Sequence, residues 1–327
     1  MVACWRAWQQ ASSTSDARPS HEGTLWQQDI YPTAEGGTMD PLIPLRYARV
    51  FFDGFLTEPR LDHPEGIAIA PDGAIWCGGE AGQLYRISPD GSEIKLMAST
   101  GGFILGLAFD EIGRLYACDV AHQTVYRFDP ATGDLTPFAG VRCGQTLRTP
   151  NWPVVDVQRR RLYVSDSSRM DQAAPGIWAF DLETGRGALW YPKALHFANG
   201  MALRADGQAL YVAETFARRI TCIPICPDGS PGEGELVLTN LPGLPDGLAL
   251  DEAGNLYIAC YEPSRIFRLT PTGELQLLLD DPEAHLLCHP TNLAFRGKEV
   301  FIANLGRWHI TQVVLDIGGV PLPVRVP

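Results

Sequence analysis

One pattern recurs six times along the chain, and it limits the possible folds more than any other feature. Each copy has a short apolar stretch, a polar turn, and a second apolar stretch with a central aromatic residue. The copies read HPEGIAIAPDGAIWCGG at 63–79, ILGLAFDEIGRLYACD at 104–119, TPNWPVVDVQRRRLYVSD at 149–166, ANGMALRADGQALYVAE at 198–214, PDGLALDEAGNLYIAC at 245–260 and HPTNLAFRGKEVFIAN at 289–304. Such internal repetition indicates a fold built from repeated structural units.

The spacing of the copies predicts one propeller blade per copy. Third and fourth strand-like segments follow most copies, with Pro-Asp-Gly or Thr-Gly turns between them. Four strands at this period are typical of β-propellers. We therefore predict an all-β, six-bladed β-propeller with four antiparallel strands per blade, its ring closed by an N-terminal strand at 48–55. The equivalent "channel positions" of the six copies lie 40 to 48 residues apart and are taken as Glu65, Leu105, Asn151, Asn199, Asp246 and Asn292.

The repeats also set the predicted domain boundaries. Residues 1–45 are largely polar and lack a repeating apolar pattern, so we predict a poorly ordered N-terminal extension there. Residues 46–327 are predicted to form a single propeller domain, and Met39 is a candidate natural start.

Charge and composition exclude several classes of protein. The chain has 26 Lys and Arg against 38 Asp and Glu, a formal net charge of −12, which disfavours nucleic acid as a partner. Neither a signal-peptide core nor an apolar stretch of about 20 residues is present. We therefore predict a cytoplasmic monomer or weak homo-oligomer without a membrane partner. Three of the eight cysteines, Cys77, Cys118 and Cys260, lie in apolar strand-like runs, which favours reduced thiols.

Oxygen donors occupy most channel positions. The innermost strand of each blade runs along the central channel, so Glu65, Asn151, Asn199 and Asp246 should converge at one mouth, with Asn292 nearby. Two carboxylates and several amide oxygens suit a hard divalent cation, calcium first, with magnesium, manganese, zinc or iron(II) as alternatives. Asn-Gly and Asp-Gly are also common turn dipeptides, so a purely structural interpretation stays open.

Three segments carry a family resemblance. HPEG at 63–66, FANGMALRADGQALYVAET at 197–215 and LPDGLALDEAGNLYIAC at 244–260 resemble the gluconolactonase/senescence-marker-protein (regucalcin) family of six-bladed propellers. TPNW at 149–152, LYVSDSS at 162–168 and FANGMAL…VAET within 197–215 are also similar to the strictosidine-synthase-like and paraoxonase-like propellers. The resemblance covers residues 46 to about 318 and implies that Glu65, Asn151, Asn199 and Asp246 bind one divalent cation.

The resemblance further implies hydrolysis of a lactone or related ester, with water activated beside a cation that polarises the carbonyl. Asp246 is the favoured base by resemblance, although the residues alone do not rank it above Glu65. Asn151, Trp152, His289 and Asn292 are the predicted substrate-binding residues. Sugar lactonases of the family usually follow the first Asn with Asp-Gly and have Arg two residues before it. Trp152-Pro153 and Thr149 stand there in this chain, which favours a flatter, more apolar substrate.

Other functions remain open. Strictosidine-synthase-like carbon–carbon bond formation would use a glutamate in the sixth blade, where the segment reads LLCHPTNLAF with Glu283 upstream and no Glu at the channel position. Phosphotriester hydrolysis and non-enzymatic calcium binding are further alternatives. Ser167 and Ser168 lack a G-x-S-x-G context, so Asp166 and Ser167 are predicted to satisfy backbone groups in a turn.

Overall fold

The structure, a computed structural model, describes residues 39–321. Most of the predicted extension, residues 1–38, therefore lies outside the described residues. Within residues 39–321 the chain forms strands, turns and two short 3₁₀ segments, Leu45–Tyr47 and Val141–Cys143, and no α-helix. No helix in this part of the chain is long and apolar enough to cross a membrane.

The strands form six separate four-stranded sheets, and every neighbouring pair of strands is antiparallel. Blades 1 to 3 contain β2 (Ile67–Ile69), β3 (Ile75–Gly78), β4 (Gln83–Ile87) and β5 (Ile94–Ser99); β6 (Ile104–Phe109), β7 (Leu115–Asp119), β8 (Thr124–Asp129) and β9 (Asp134–Gly140); and β10 (Pro150–Asp156), β11 (Arg161–Asp166), β12 (Ala174–Asp181) and β13 (Gly187–Leu195). Blades 4 to 6 contain β14 (Ala198–Leu203), β15 (Ala209–Glu214), β16 (Arg219–Pro224) and β17 (Glu235–Leu238); β18 (Pro245–Leu250), β19 (Leu256–Cys260), β20 (Arg265–Leu269) and β21 (Leu275–Asp280); and β22 (Pro290–Arg296), β23 (Glu299–Asn304), β24 (His309–Val314) and β1 (Arg49–Asp53). The predicted six-bladed propeller is confirmed.

The ring closes through the N-terminal strand, as predicted. β1 is the outer strand of blade 6 and pairs with β24, with Arg49 opposite Gln312 and Asp53 opposite His309. The Arg49 Nε donates a hydrogen bond of 2.6 Å to Gln312 Oε1. Joining the first strand of the described chain to the last in one sheet ties the two ends of the ring together.

Apolar side chains between the blades form the core. The second strands are almost entirely buried, and β7 and β19 have no residue even half-exposed. Phe301 and Ile310 of blade 6 pack in one cluster with Ile67 and Ile75 of blade 1. A strand buried on both faces needs apolar residues at successive positions, which explains the continuous runs such as LYIAC in each repeat.

The last residues assigned to the extension contact the propeller. The backbone N–H groups of Leu42 and Ile43 donate to the carbonyls of Leu277 and Leu278, at 2.9 and 3.0 Å. Ile43 also packs against the cluster between blades 5 and 6. Contacts with the propeller thus begin a few residues before position 46.

Candidate metal centre

The first strands of the six blades surround the central axis. Each of them contacts the first strands of both neighbouring blades, which closes the ring β2, β6, β10, β14, β18, β22. The glycine after a channel position allows close approach to the next blade: a Cβ on Gly200 would lie 2.2 Å from the Asp246 carbonyl oxygen, and one on Gly66 would lie 2.0 Å from that of Leu105. The backbones at this mouth are therefore packed too tightly for a side chain at these glycines.

Buried oxygen atoms without hydrogen-bond partners gather at the channel positions. Glu65, Asn151, Asn199 and Asp246 are all buried, with at most 6% of each residue exposed. Nine side-chain N and O atoms in residues 39–321 are buried and unpartnered, and four of them belong to this set: Glu65 Oε2, Asn151 Oδ1, Asn199 Oδ1 and Asp246 Oδ1. Burying polar atoms without partners costs free energy, so such a group of acceptors is typical of a place where water or an ion binds.

The two carboxyl groups of this set are electrostatically linked. Burial raises the pKa of Glu65 well above its usual value, and repulsion by the Asp246 carboxylate raises it further. Burial also raises the pKa of Asp246, to about 8, and the neighbouring Asn199 side chain opposes this shift. A divalent cation would remove both costs because it pairs with the two negative charges.

The chemistry of the donor set fits a hard cation. Two carboxylates and two amide oxygens, with no sulfur or imidazole among them, are the ligands that calcium and related ions prefer. The Nδ2 atoms of Asn151 and Asn199 are engaged with Ser167 Oγ at 2.9 Å and Thr215 Oγ1 at 3.1 Å. These contacts leave both amide oxygens free to coordinate.

A second group of titratable residues, Asp62, His63 and Glu80, precedes the first channel position. His63 Nδ1 lies 3.4 Å from Asp62 Oδ1 and 3.5 Å from Glu80 Oε2. The Asp62 carboxylate, and after it that of Glu80, raises the pKa of His63 to about 9. A protonated imidazole competes with a cation for these carboxylates, so the group is better described as an ion-pair cluster.

Comparisons with known proteins show which family the chain belongs to. Residues 99–303, well over half of the chain, match the family model of the SMP-30/gluconolactonase/LRE-like region. The chain belongs to this family. Residues 55–87 also match the N-terminal model of the strictosidine synthase-like proteins, so the predicted resemblances to the gluconolactonase family and to the strictosidine-synthase-like propellers are confirmed.

Individual relatives of this SMP-30/gluconolactonase/LRE-like protein have low sequence identity to it. A 6-deoxy-6-sulfogluconolactonase from Pseudomonas putida is 31% identical over 247 residues, covering 69% of this chain and 75% of the relative. Adipocyte plasma membrane-associated protein from Salmo salar is 28% identical over 257 residues; the match covers 70% of this chain but only 59% of that longer protein. The solved structure of a Xanthomonas campestris gluconolactonase has the same fold, with a TM-score of 0.67 and 19% identity over 83% of this chain and 89% of that chain.

The structure places a different residue at the sixth channel position from the one predicted. Leu248 pairs with Ile258 in blade 5 and Leu293 with Ile302 in blade 6, so Thr291, not Asn292, is the residue equivalent to Asp246. The prediction of Asn292 as the sixth channel position was therefore wrong by one residue. This copy lacks the glycine that directly follows the channel position in most other copies, so the sequence did not show where the position lies. Asn292 Nδ2 donates to the Glu65 carbonyl at 3.0 Å, while Oδ1 is buried without a partner. Its role toward substrate stays a prediction.

In blade 3, Trp152 directly follows the channel residue Asn151, where Gly66 and Gly200 stand in blades 1 and 4. The side chain belongs to the buried cluster between blades 3 and 4, and its Nε1 donates to the Met201 carbonyl at 2.9 Å. These are the contacts of a residue that packs one blade against the next. A contribution of Trp152 to a substrate pocket stays a prediction.

Three half-buried side chains stand two residues before a channel position. His63, Phe197 and His289 have positive φ angles of 35°, 61° and 51°, which non-glycine residues rarely adopt. The His289 ring stacks on Tyr261 with centroids 4.7 Å apart, and its Nδ1 lies 3.2 Å from Glu262 Oε2. These residues therefore share one location in their repeats, beside the mouth.

The sequence did not indicate all of the residues that surround the channel positions. It singled out His289 but not Phe197, whose ring contacts Phe216 edge-to-face with centroids 4.9 Å apart. It also assigned Ser167 only to backbone satisfaction and did not consider Thr215. A readable signal existed, because each channel Asn is followed sixteen residues later by a hydroxyl residue.

The raised pKa values lead to a prediction for the cation-free protein. Asp and Glu have ordinary pKa values of 3.8 and 4.5, and both Asp246 and Glu65 lie above them in the folded chain. Protonated carboxyls thus stabilise the fold at low pH, and this stabilisation is lost as the pH rises toward the folded pKa, about 8 for Asp246. We expect the thermal unfolding temperature of chelator-treated protein to fall between about pH 5 and pH 8, and the increase caused by added calcium to grow over that interval.

The Glu65→Gln variant is the control for this pH dependence of the unfolding temperature. Because the variant removes one charge of the pair, its cation-free unfolding temperature should fall less over the same pH interval. A parent protein whose unfolding temperature responds equally to calcium at both ends of the interval would contradict the prediction.

Proposed function

We propose that this protein is a divalent-cation-dependent hydrolase of a lactone or related ester, acting at the mouth of the propeller channel. The observation that carries the proposal is the set of four buried, unpartnered oxygens of Glu65, Asn151, Asn199 and Asp246. Membership of the SMP-30/gluconolactonase/LRE-like family and the likeness to a sulfogluconolactonase support the same reaction class. Calcium is the proposed cation.

The proposed roles divide between the two kinds of donor. A bound divalent cation supplies Lewis acidity, which polarises an ester carbonyl and lowers the pKa of water. Asn151 and Asn199 bind it with neutral oxygens, and Glu65 and Asp246 balance its charge. Asp246 also accepts the proton of the attacking water and returns it to the alkoxide that leaves when the ester C–O bond breaks.

The surroundings of the mouth support an apolar or lightly hydroxylated substrate. Phe197 and Phe216 offer aromatic surface next to Asn199 and Thr215. Thr149, which stands where sugar lactonases carry Arg, uses its Oγ1 to donate to the Ser168 carbonyl at 3.1 Å. The site therefore lacks that cationic donor for sugar hydroxyls, whereas the aromatic rings suit flat apolar groups.

The proposal is tested by stripping the protein with a chelator and reloading it with single cations. Each form is assayed on aldonolactones, apolar lactones, aryl esters and phosphotriesters. Lactone or ester hydrolysis that disappears on stripping and returns with one cation supports the proposal. Hydrolysis of phosphotriesters alone would assign the protein to that alternative, and cation binding with no turnover of any substrate would favour the non-enzymatic one.

Substrate selectivity gives a further prediction. We expect apolar lactones to have a kcat/KM at least about tenfold above that of gluconolactone, since apolar contacts discriminate by roughly this much. Phe197→Ala should raise KM for the apolar lactone several-fold and leave calcium affinity unchanged. Tyr47→Ala, which removes an exposed aromatic side chain outside the channel strands, is the control and should change neither quantity. Faster hydrolysis of polyhydroxylated lactones by the parent protein would contradict this prediction.

A further inference from the structure

Two buried hydroxyl groups connect neighbouring blades at the mouth. Ser167 directly follows β11 of blade 3, and its Oγ donates to the Ala198 carbonyl of blade 4 at 2.7 Å. Thr215 directly follows β15 of blade 4, and its Oγ1 donates to the Pro245 carbonyl of blade 5 at 2.8 Å. Both carbonyls belong to the residue just before a channel position, so each hydroxyl reaches the base of a proposed cation ligand in the next blade.

The same hydroxyls determine how the two asparagine amides are turned. A hydroxyl has one proton, and a backbone carbonyl can only accept, so Ser167 and Thr215 are left as acceptors toward the side chains of their own blades. The group facing them must therefore be the amide nitrogen, Nδ2 of Asn151 at 2.9 Å and of Asn199 at 3.1 Å. Each Oδ1 then points away from the hydroxyl, where it is buried and unpartnered.

We infer that Ser167 and Thr215 are positioning residues: by accepting from Nδ2, they hold the oxygens of Asn151 and Asn199 toward the cation. This inference rests on the proposed function and adds residues to its site. Without the hydroxyl, a half-turn about the Cβ–Cγ bond would exchange Oδ1 and Nδ2 and present the NH₂ group to the cation, which repels it. Outer partners that orient metal-binding side chains in this way contribute substantially to metal affinity.

Another asparagine in the same protein shows what the arrangement looks like away from the channel positions. Asn304 Nδ2 donates to Thr311 Oγ1 at 3.0 Å, and Thr311 in turn donates to the Leu286 carbonyl. Here, however, Asn304 Oδ1 accepts from the Cys288 N–H at 2.9 Å. An asparagine whose Nδ2 bonds a hydroxyl can thus also have a hydrogen-bond donor for its Oδ1 within the fold. At the two channel positions, Asn151 and Asn199, the Oδ1 has no such donor.

The inference is tested by calcium titration calorimetry on the chelator-treated full chain. Thr215→Val removes the hydroxyl at nearly constant volume and should weaken calcium binding about 10- to 100-fold. Ser167→Ala should have an effect of the same order, and it serves as the independent test where Thr215→Val does not fold. Thr215→Ser keeps the hydroxyl and should bind calcium within about threefold of the parent. Thr311→Val breaks the comparable contact in blade 6, and should lower the unfolding temperature without changing calcium affinity.

A double-mutant comparison asks whether Thr215 acts through Asn199. In an Asn199→Ala background the hydroxyl has no amide to orient, so adding Thr215→Val should cause no further loss of affinity. A parent that binds neither calcium, magnesium, manganese nor zinc would overturn the proposed function and this inference together. A parent that binds calcium, with Thr215→Val and Ser167→Ala binding equally well, would overturn the inference alone. Equal losses from Thr215→Val with and without Asn199 would also overturn it.

Discussion

Replacing Asp246 with alanine is expected to weaken calcium binding by at least about 100-fold, since it removes one of two negative charges from the proposed site. The carboxyl group is buried, and its Oδ1 has no protein partner, so no other group would replace it. Asn199→Ala should weaken binding less, because it removes a neutral oxygen. Calorimetric titration of the chelator-treated variants with calcium chloride measures both effects.

A structural aspartate elsewhere in the propeller is the matched control. Asp110 is as buried as Asp246, but its carboxylate bonds Arg114 Nε at 2.7 Å. Asp110→Ala should therefore destabilise the fold, since it leaves Arg114 without its partner, and should leave calcium affinity unchanged. If Asp246→Ala binds calcium as tightly as the parent, the carboxylate is not a ligand.

Replacing Asp246 with asparagine is expected to lower the hydrolysis rate by about 10²- to 10⁴-fold even at saturating calcium, if Asp246 is the general base. The substitution keeps an oxygen of similar size and position, but removes the charge and nearly all of the basicity. A residue that is only a ligand would lose affinity, and excess cation would then restore most of the rate. The measurement is kcat for lactone hydrolysis at several calcium concentrations.

The pH dependence of kcat separates the two roles of Asp246. Loss of the base should abolish or displace the acid limb of the profile, whereas loss of a ligand should leave that limb in place. A variant with near-parental rate and an unchanged acid limb would exclude Asp246 as the base. Glu65→Gln, assayed in parallel, shows whether the other carboxylate has that role.

The fold was predictable because its determinants are local and repeated. Each copy carries its own apolar alternation and its own turn, so even modest signals reinforce one another over six blades. The strand that closes the ring was predictable as well, since ARVFF is mostly apolar and precedes the first copy. The register of blade 6 was not, because Thr291 and Asn292 are both polar and the glycine that marks the channel position elsewhere is absent.

The candidate site was predictable only as far as the repeats reach. Glu65, Asn151, Asn199 and Asp246 occupy one repeat position, and the closed ring of first strands brings that position to one mouth. Trp152 illustrates the limit: its place after Asn151 fits a pocket wall as well as a packing residue. The contact of its indole with the Met201 carbonyl joins positions 49 residues apart, which no local pattern encodes.

The sequence by itself thus determined the number of blades, the order of the strands and the single repeat position that Glu65, Asn151, Asn199 and Asp246 share. These follow from short-range periodicity, which a chain carries independently of how its parts later meet. Only the tertiary structure decided which way each amide faces, that the donor oxygens lack partners, and that Glu65 and Asp246 repel one another across the channel. Those properties depend on contacts between blades, such as Ser167 with Ala198 and Thr215 with Pro245, which exist only once the ring has closed.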